Sequence, residues 1–285
     1  MHARMGALLV VSIIATGVWY NVFTFGESRT LDVYVLNVGQ GDALYVRAPS
    51  GRDMLIDTGS NDKVIQELES VMPSFDRALD VLILTHSDAD HVGGSTALLS
   101  RYNVGMIIEG GETASSSAYE QYRKKAIGQK VPRTIVTTGD RLHLDDDVDL
   151  DVLLPKPQNN HTKLMAVKNN DSAIVAKLSF GNGSILLTSD MERAGEVALA
   201  TSDATLESSV LKVGHHGSKY SSWKLFLDRV KPQISAISVG VNNYGHPTEA
   251  TLERLKDEGS AVFRTDTGGR IHLRSTGGAF AVVEG

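Results

Sequence analysis

The chain has 285 residues, 41% hydrophobic and 22% charged, a balance that excludes wholesale disorder and fits one large domain or two small ones. Lys+Arg 28 against Asp+Glu 34 gives a formal charge of −6, which excludes a protein held to nucleic acid by bulk positive field but leaves room for a local basic groove. With no cysteine, disulfide frameworks, thiolate metal sites and thiol nucleophiles drop out together, and any metal must be held by His, Asp, Glu or Asn.

In chain order, the first feature is an apolar run from Ala7 to Phe25 without a charged side chain. As a helix it would span ~28 Å, close to the hydrocarbon thickness of a bilayer. Residues 1–28 therefore read as a membrane anchor, with Trp19, Tyr20, Phe23 and Phe25 as its interfacial belt. A cleaved signal peptide and a buried helix are the competing readings. Arg4 and the free amine favour the N-terminus inside, which would put residues 29–285 outside the cytoplasmic membrane, tethered there or secreted after cleavage.

From Leu31 the pattern is that of an α/β domain. Leu31 to Leu36 alternates as a strand, and Ala43–Val46 with Met54–Ile56 reads as a hairpin around Pro49-Ser50-Gly51. Lys63 to Met72 has helical spacing, whereas Val81 to Leu84 is the unbroken apolar run of a strand covered on both faces. Further elements are predicted as a helix at Gly94–Arg101, a strand at Val104–Ile108, a helix at Ala118–Ile127, and strands at Thr134–Val136 and Val148–Leu154. A polar loop spans Asn159–Asp171. A second hairpin turns at Gly181-Asn182-Gly183, and three α/β alternations lead to a terminal hairpin expected at Gly268-Gly269. Two mixed sheets packed face to face, with helices on the outer faces, satisfy this order. Leu82-Ile83-Leu84-Thr85-His86 is echoed faintly by Ile185-Leu186-Leu187-Thr188-Ser189-Asp190, as if two related strand ends served one cleft.

The chemistry concentrates in Thr85-His86-Ser87-Asp88-Ala89-Asp90-His91-Val92-Gly93-Gly94, which sets four candidate ligands within six residues directly after a buried strand. In an extended loop His86, Asp88 and Asp90 share a side, and His91 turns in at the start of the next helix, with Gly93 and Gly94 expected to permit a tight bend. Asp90 could also cap that helix. Asp145 to Asp151 lacks the glycine and terminal glutamate of an EF-hand and reads as a solvated strand face. His2, His143 and His272 have no partner pattern and read as surface or strand-face residues. Tyr34, Tyr45 and Trp223 read as core or rim packing. Lys212, Lys219, Lys224, Arg229 and Lys231 form a local basic cluster able to guide a polyanion.

The segment resembles the His-x-[His/Asp]-x-Asp-His signature of the metallo-β-lactamase superfamily, in the Asp-containing form of the ComEC branch of competence proteins. Asn37-Val38-Gly39-Gln40-Gly41-Asp42-Ala43, Leu55-Ile56-Asp57-Thr58-Gly59, Asn169-Asn170-Asp171-Ser172, Leu186 to Glu192, Leu211 to Ser218 and Asn243-Tyr244-Gly245-His246-Pro247 follow in the order of that branch. The resemblance covers about Leu31 to Gly285 and implies an αββα sandwich in stand-alone form. It implies two divalent cations, Zn²⁺ or Mn²⁺: His86 and Asp88 on one, Asp90, His91 and His216 on the other, and Asp190 bridging. Asn170 stands where the superfamily usually has a further His, with His161 nearby, and the harder oxygen donor tilts the choice toward Mn²⁺. His216 is preferred over His215 as ligand. His215 and His246, with Asp90, are the catalytic candidates, while Ser218 and Lys219 are candidates for receiving a phosphate oxygen and Asp57 for orienting the first loop. The implied activity is phosphodiester hydrolysis, most plausibly of DNA. Other esters, or a membrane-tethered DNA-binding module without turnover, stay open, and a monomer is the default.

Overall fold

The computed structural model describes residues 29–111, 116–156 and 173–283. The anchor or signal reading of residues 1–28, and the readings of Asn170 and His161, fall outside them. Among the described residues no helix is long and apolar enough to cross a membrane.

Among the described residues fifteen strands form two sheets. The first runs β15-β14-β1-β2-β3-β4-β5-β6, built from β1 (Leu31–Val35), β2 (Leu44–Arg47), β3 (Asp53–Ile56), β4 (Ala78–Leu84), β5 (Asn103–Glu109), β6 (Arg133–Ile135), β14 (Ile271–Ser275) and β15 (Ala281–Val282). The second runs β13-β12-β11-β10-β9-β8-β7, from β7 (Arg141–Asp145), β8 (Val148–Leu154), β9 (Val175–Phe180), β10 (Gly183–Leu187), β11 (Val210–Lys212), β12 (Ile234–Ile237) and β13 (Ala261–Arg264). Alternation decides which side chains meet between them. Leu31, Val33 and Val35 of β1 are buried there with Leu150 and Val152 of β8 and Leu178 of β9.

The outer faces are covered by helices. Against the first sheet lie α1 (Lys63–Val71), α2 (Ala89–Val92), α3 (Ser95–Arg101) and α4 (Ser117–Gly128), whose Val64, Ile65, Leu68, Leu98, Leu99 and Tyr122 join one buried cluster. Against the second lie α5 (Arg193–Ala200), α6 (Lys224–Val230) and α7 (Glu249–Asp257), burying Leu199, Phe226, Leu227 and Leu255. The layers are the αββα order expected from the sequence.

The parallel pairs β3–β4, β10–β11 and β11–β12 place the carboxyl ends of these strands at one edge of the sandwich. Open α/β sheets put their chemistry at such ends, because the connecting loops leave there with their backbone groups free to turn inward.

Two expectations need correction, and one strand has no counterpart among the predicted elements. The terminal hairpin is not at Gly268-Gly269. Those residues end the one-turn helix α8 (Thr265–Gly268), which carries the chain from β13 in the second sheet to β14 in the first, and the hairpin is β14–β15. Strand β7 was missed because its charged Arg141-Leu142-His143-Leu144-Asp145 lies at a sheet edge and mostly faces water. Gly93 and Gly94 make no unusual bend, both having right-handed helical angles. They are needed for closeness: a Cβ on Gly93 would stand 2.3 Å from the Ser60 carbonyl oxygen, and one on Gly94 2.4 Å from that of Thr58.

Candidate metal centre

Three loops meet at this edge. The loop after β4 supplies His86, Asp88 and, within α2, Asp90 and His91; the loop after β10 supplies Asp190; the 3₁₀ turn Gly214–Gly217 after β11 supplies His215 and His216. The echo between the two strand ends has a physical counterpart, since Thr85 Oγ1 and Ser189 Oγ lie 2.8 Å apart. Asp88, not Asp90, occupies the N-cap position of α2.

One ligand atom each from Asp90, His91, Asp190 and His216 falls within a 4.8 Å cluster. Asp190 is its centre. Its Oδ1 lies 3.2 Å from His91 Nε2 and 3.5 Å from His216 Nε2, while its Oδ2 lies 3.8 Å from His86 Nε2 and 3.6 Å from His215 Nε2. Asp90 Oδ2 is 3.3 Å from His216 Nε2, and Asp88 Oδ2 is 3.6 Å from His86 Nε2. The Nε2 atoms of His86, His91 and His216 and Oδ1 of Asp190 are all buried without a well-formed hydrogen bond. Buried polar atoms are rarely left so, and imidazole nitrogens and carboxylate oxygens converging on one point fit the donor set of a divalent metal site.

The opposite ring nitrogens are held in place. His91 Nδ1 meets Asp57 Oδ2 at 2.7 Å, and Asp57 also accepts from the Thr85 amide at 2.8 Å and the Thr85 hydroxyl at 2.7 Å. His216 Nδ1 donates to the Ser238 carbonyl at 2.9 Å, leaving Nε2 for the site. His215 Nδ1 meets Glu192 Oε1 at 2.9 Å. Such partners fix tautomer and ring direction. Asp57, Ser189, His215 and His216 all have positive φ, a strained state for these residues, and backbone strain gathers where side-chain direction matters.

Electrostatics follow from burial and charge. Burial opposes ionisation of Asp190, but His91 and His216 hold its carboxyl well below the usual range. Asp90 is likewise lowered against its burial, mainly by the His216 imidazole, whose Nε2 lies 3.3 Å from its Oδ2. Burial would lower the His216 imidazole, yet Asp190 and Asp42 push it up to about 10. His91 is raised in the same way by Asp190 and Asp57. His246 goes the other way, lowered by burial and then by the neighbouring His215 and His216.

Asp42 and Lys212 acquire a role that the sequence reading did not give them. Both are buried, Lys212 Nζ lies 2.8 Å from Asp42 Oδ2, and Asp42 Oδ1 lies 3.3 Å from His216 Nδ1. Lys212 therefore cannot serve an incoming polyanion. The rest of the expected basic cluster is largely committed too: Lys224 pairs with Asp228, and Arg229 is spent on the carbonyls of Ala200, Ser202 and Ala204. Ser218 is buried, its Oγ accepting from the Tyr220 amide, and it does not cap the next helix, whose N-cap is Trp223. Lys219 is exposed, with Nζ 5.0 Å above the Tyr220 ring.

The profile of the metallo-beta-lactamase superfamily matches residues 36–241, the stretch that carries every loop just described. The chain belongs to this superfamily. It is similar to ComE operon protein 3 of Bacillus subtilis (32% identity over 95% of this chain and 36% of that protein) and to competence protein ComA of Neisseria gonorrhoeae (32% over 85% of this chain and 32% of that protein). The chain thus spans about a third of the length of the curated relatives it matches. Among solved structures it resembles the metallo-beta-lactamase fold protein YhfI of Bacillus subtilis (TM-score 0.57, 12% identity, 86% of this chain and 99% of that one). It also resembles Zn²⁺-bound PqqB of Methylobacterium extorquens (TM-score 0.52, 10% identity, 79% of this chain and 85% of that one).

Proposed function

We propose that this superfamily member is a dinuclear metal-dependent hydrolase of phosphodiesters, with DNA as its substrate. The observation that carries the reading is the convergence of buried, unbonded His86, His91 and His216 Nε2 atoms on the two oxygens of Asp190, beside the imidazoles of His215 and His246. Similarity to proteins named for competence favours DNA among the possible phosphodiesters.

His86 and Asp88 would hold one cation, and Asp90, His91 and His216 the other, and Asp190 would contribute to holding both. When bound, such a pair lowers the pKa of water toward neutrality and offsets the charge of a phosphodiester. His215 does the neighbouring proton work. Its Nδ1 is held by Glu192, so Nε2 faces Asp190 at the mouth, positioned to hold a proton for the departing oxygen. His246 packs edge-on against it, ring centroids 5.4 Å apart, where it could hydrogen-bond a phosphoryl oxygen, and burial with the neighbouring imidazoles disfavours its charged form. Residues 1–28 as an anchor or signal would place this chemistry outside the cytoplasmic membrane.

The test is hydrolysis by the full chain of DNA, RNA, a phosphocholine ester and a β-lactam, each with Mn²⁺ or Zn²⁺. DNA cleavage that Asp90→Ala reduces to the level of chelated protein supports the reading. DNA bound tightly but never cut, or preferred turnover of another ester, overturns it.

A further inference from the structure

The loop joining β12 to α7 carries His246 and also holds apolar surface out into water. Val241 is fully exposed and Tyr244 is 75% exposed, unusual for side chains that could fold back onto the protein. They do not fold back because Asn242 locks the loop. Its Nδ2 donates to the carbonyls of Gly240 at 2.9 Å and His246 at 2.8 Å, and its Oδ1 accepts from the amides of Tyr244 at 3.0 Å and His246 at 3.1 Å. Both donors and both lone pairs of that amide are used. The loop is tied to the site at each end, through the Gly240 amide to Gln40 and the Thr248 amide to the Gly217 carbonyl.

The rings form a ladder leading out of the site. His215 Nε2 is 3.6 Å from Asp190, His246 lies 5.4 Å from His215, and Tyr244 lies 5.8 Å from His246 at an interplanar angle of 32°. Tyr244 is the outermost rung, with its ring largely in solvent. We propose that Tyr244, on this locked loop, is a specificity-determining platform on which the nucleobase beside the scissile phosphate stacks. The proposal rests on the nuclease reading above and says which part of the substrate is recognised.

Chemistry selects the occupant. The segment Val241-Asn242-Asn243-Tyr244-Gly245 has no charge, so it suits a flat, neutral ring. A quaternary ammonium is best held by a cage of several aromatic faces, and the other exposed tyrosine nearby in sequence to the ligand turn, Tyr220, already has the Lys219 ammonium over its ring. Stacking of bases on an exposed aromatic is tolerant of sequence and needs no further hydrogen bonds.

The experiment uses the full chain, metal-loaded, and single-stranded oligonucleotides with one cleavable phosphodiester flanked either by an intact nucleotide or by an abasic one. Tyr244→Ala should raise KM roughly 5- to 100-fold on the intact substrate, with kcat within about threefold of wild type. Tyr244→Phe should behave as wild type. The abasic substrate should cost the wild-type protein a similar factor and show no further loss with Tyr244→Ala. An Ala variant matching wild type on the intact substrate, or equal losses on both substrates, would overturn the platform alone. Wild-type protein that cuts neither oligonucleotide would overturn the nuclease reading and the platform with it. Because the side chain is exposed, the variants should melt as the wild type does.

Discussion

Lys212 Nζ and Asp42 Oδ2 stand 2.8 Å apart, 170 positions apart in the chain and both buried, with Asp42 Oδ1 3.3 Å from His216 Nδ1. The pair joins the first sheet's β1–β2 loop to the last residue of β11. Lys212 and His216 hold the Asp42 carboxyl far below its usual range against the penalty of burial. Removing one partner would strand the other charge in the interior. Lys212→Met is expected to destabilise the protein by about 3–5 kcal/mol, read as a lower urea midpoint at unchanged m. Asp42→Asn in the Lys212→Met background should recover part of that loss, since the stranded charge is then gone. A Lys212→Met protein as stable as wild type would show that the buried pair contributes nothing.

Asp57 acts at one remove from the proposed cations. It orients His91 through Nδ1 and takes two further hydrogen bonds from Thr85, so its carboxylate fixes the direction from which His91 Nε2 approaches Asp190. Asp57→Asn nearly preserves shape but removes the charge. Partners of this kind typically affect metal affinity by about 10–100-fold. Competition with a chelating dye should report a loss in that range with the fold intact, and unchanged affinity would exclude the orienting role.

The parts of this architecture legible in the sequence were those written in short-range pattern. Val81–Leu84 announced a strand covered on both faces, and the density of His and Asp just after it announced ligands. The convergence of Asp190 and His216 with that loop came from resemblance, because no local periodicity reports contacts across 100 residues or more. Lys212 was misread for the same reason. A lysine on a three-residue strand looks solvated until its carboxylate partner, 170 positions earlier, is known. Glu192 could have been found from its place two residues after Asp190, but its bond to His215 depends on the left-handed turn that His215 and His216 adopt. Strand β7 hid behind a charged edge, and Gly93 and Gly94 were read for bend when close approach of carbonyls was the reason.

The His–carboxylate cluster makes stability depend on pH and on cations together. In the ion-free protein the His91 and His216 imidazoles are raised above their ordinary pKa, so the stability they contribute is fully present below about 6.5 and is lost as pH rises, for His216 through about 10. Asp90 and Asp190 are lowered, so their contribution is present above the ordinary carboxylate range and lost on acidification. A divalent cation needs the Nε2 atoms unprotonated, and therefore binds more tightly as pH rises. Chelated protein should melt at a lower temperature at pH 9 than at pH 6.5. Protein saturated with Zn²⁺ or Mn²⁺ should show the larger gain over the chelated form at pH 9. Equal gains at both values would mean that these imidazoles do not exchange protons for the ion.

Glu196 offers a second pH dependence, on the outer face of the second sheet. Its carboxylate accepts from the amides of Ser222 and Trp223, which join the segment after the His turn to α5, and it is fully buried. Burial pushes its pKa up to about 7, the two amides and Arg254 only partly compensating. A carboxyl raised in the folded state binds its proton more tightly there than in the unfolded chain, so its protonation stabilises the fold. That contribution is full below the ordinary value near 4.5 and is lost as pH climbs through about 7, amounting to up to about 3 kcal/mol. Glu196→Gln removes the titration while keeping an acceptor for one of the two amides. Urea unfolding of the chelated protein from pH 5 to 8 should therefore fall less steeply in Glu196→Gln than in wild type, with the two curves furthest apart at the alkaline end. Parallel curves across that range would mean that Glu196 ionises alike in the folded and unfolded chain, and the two amide bonds would then have to offset its burial in full.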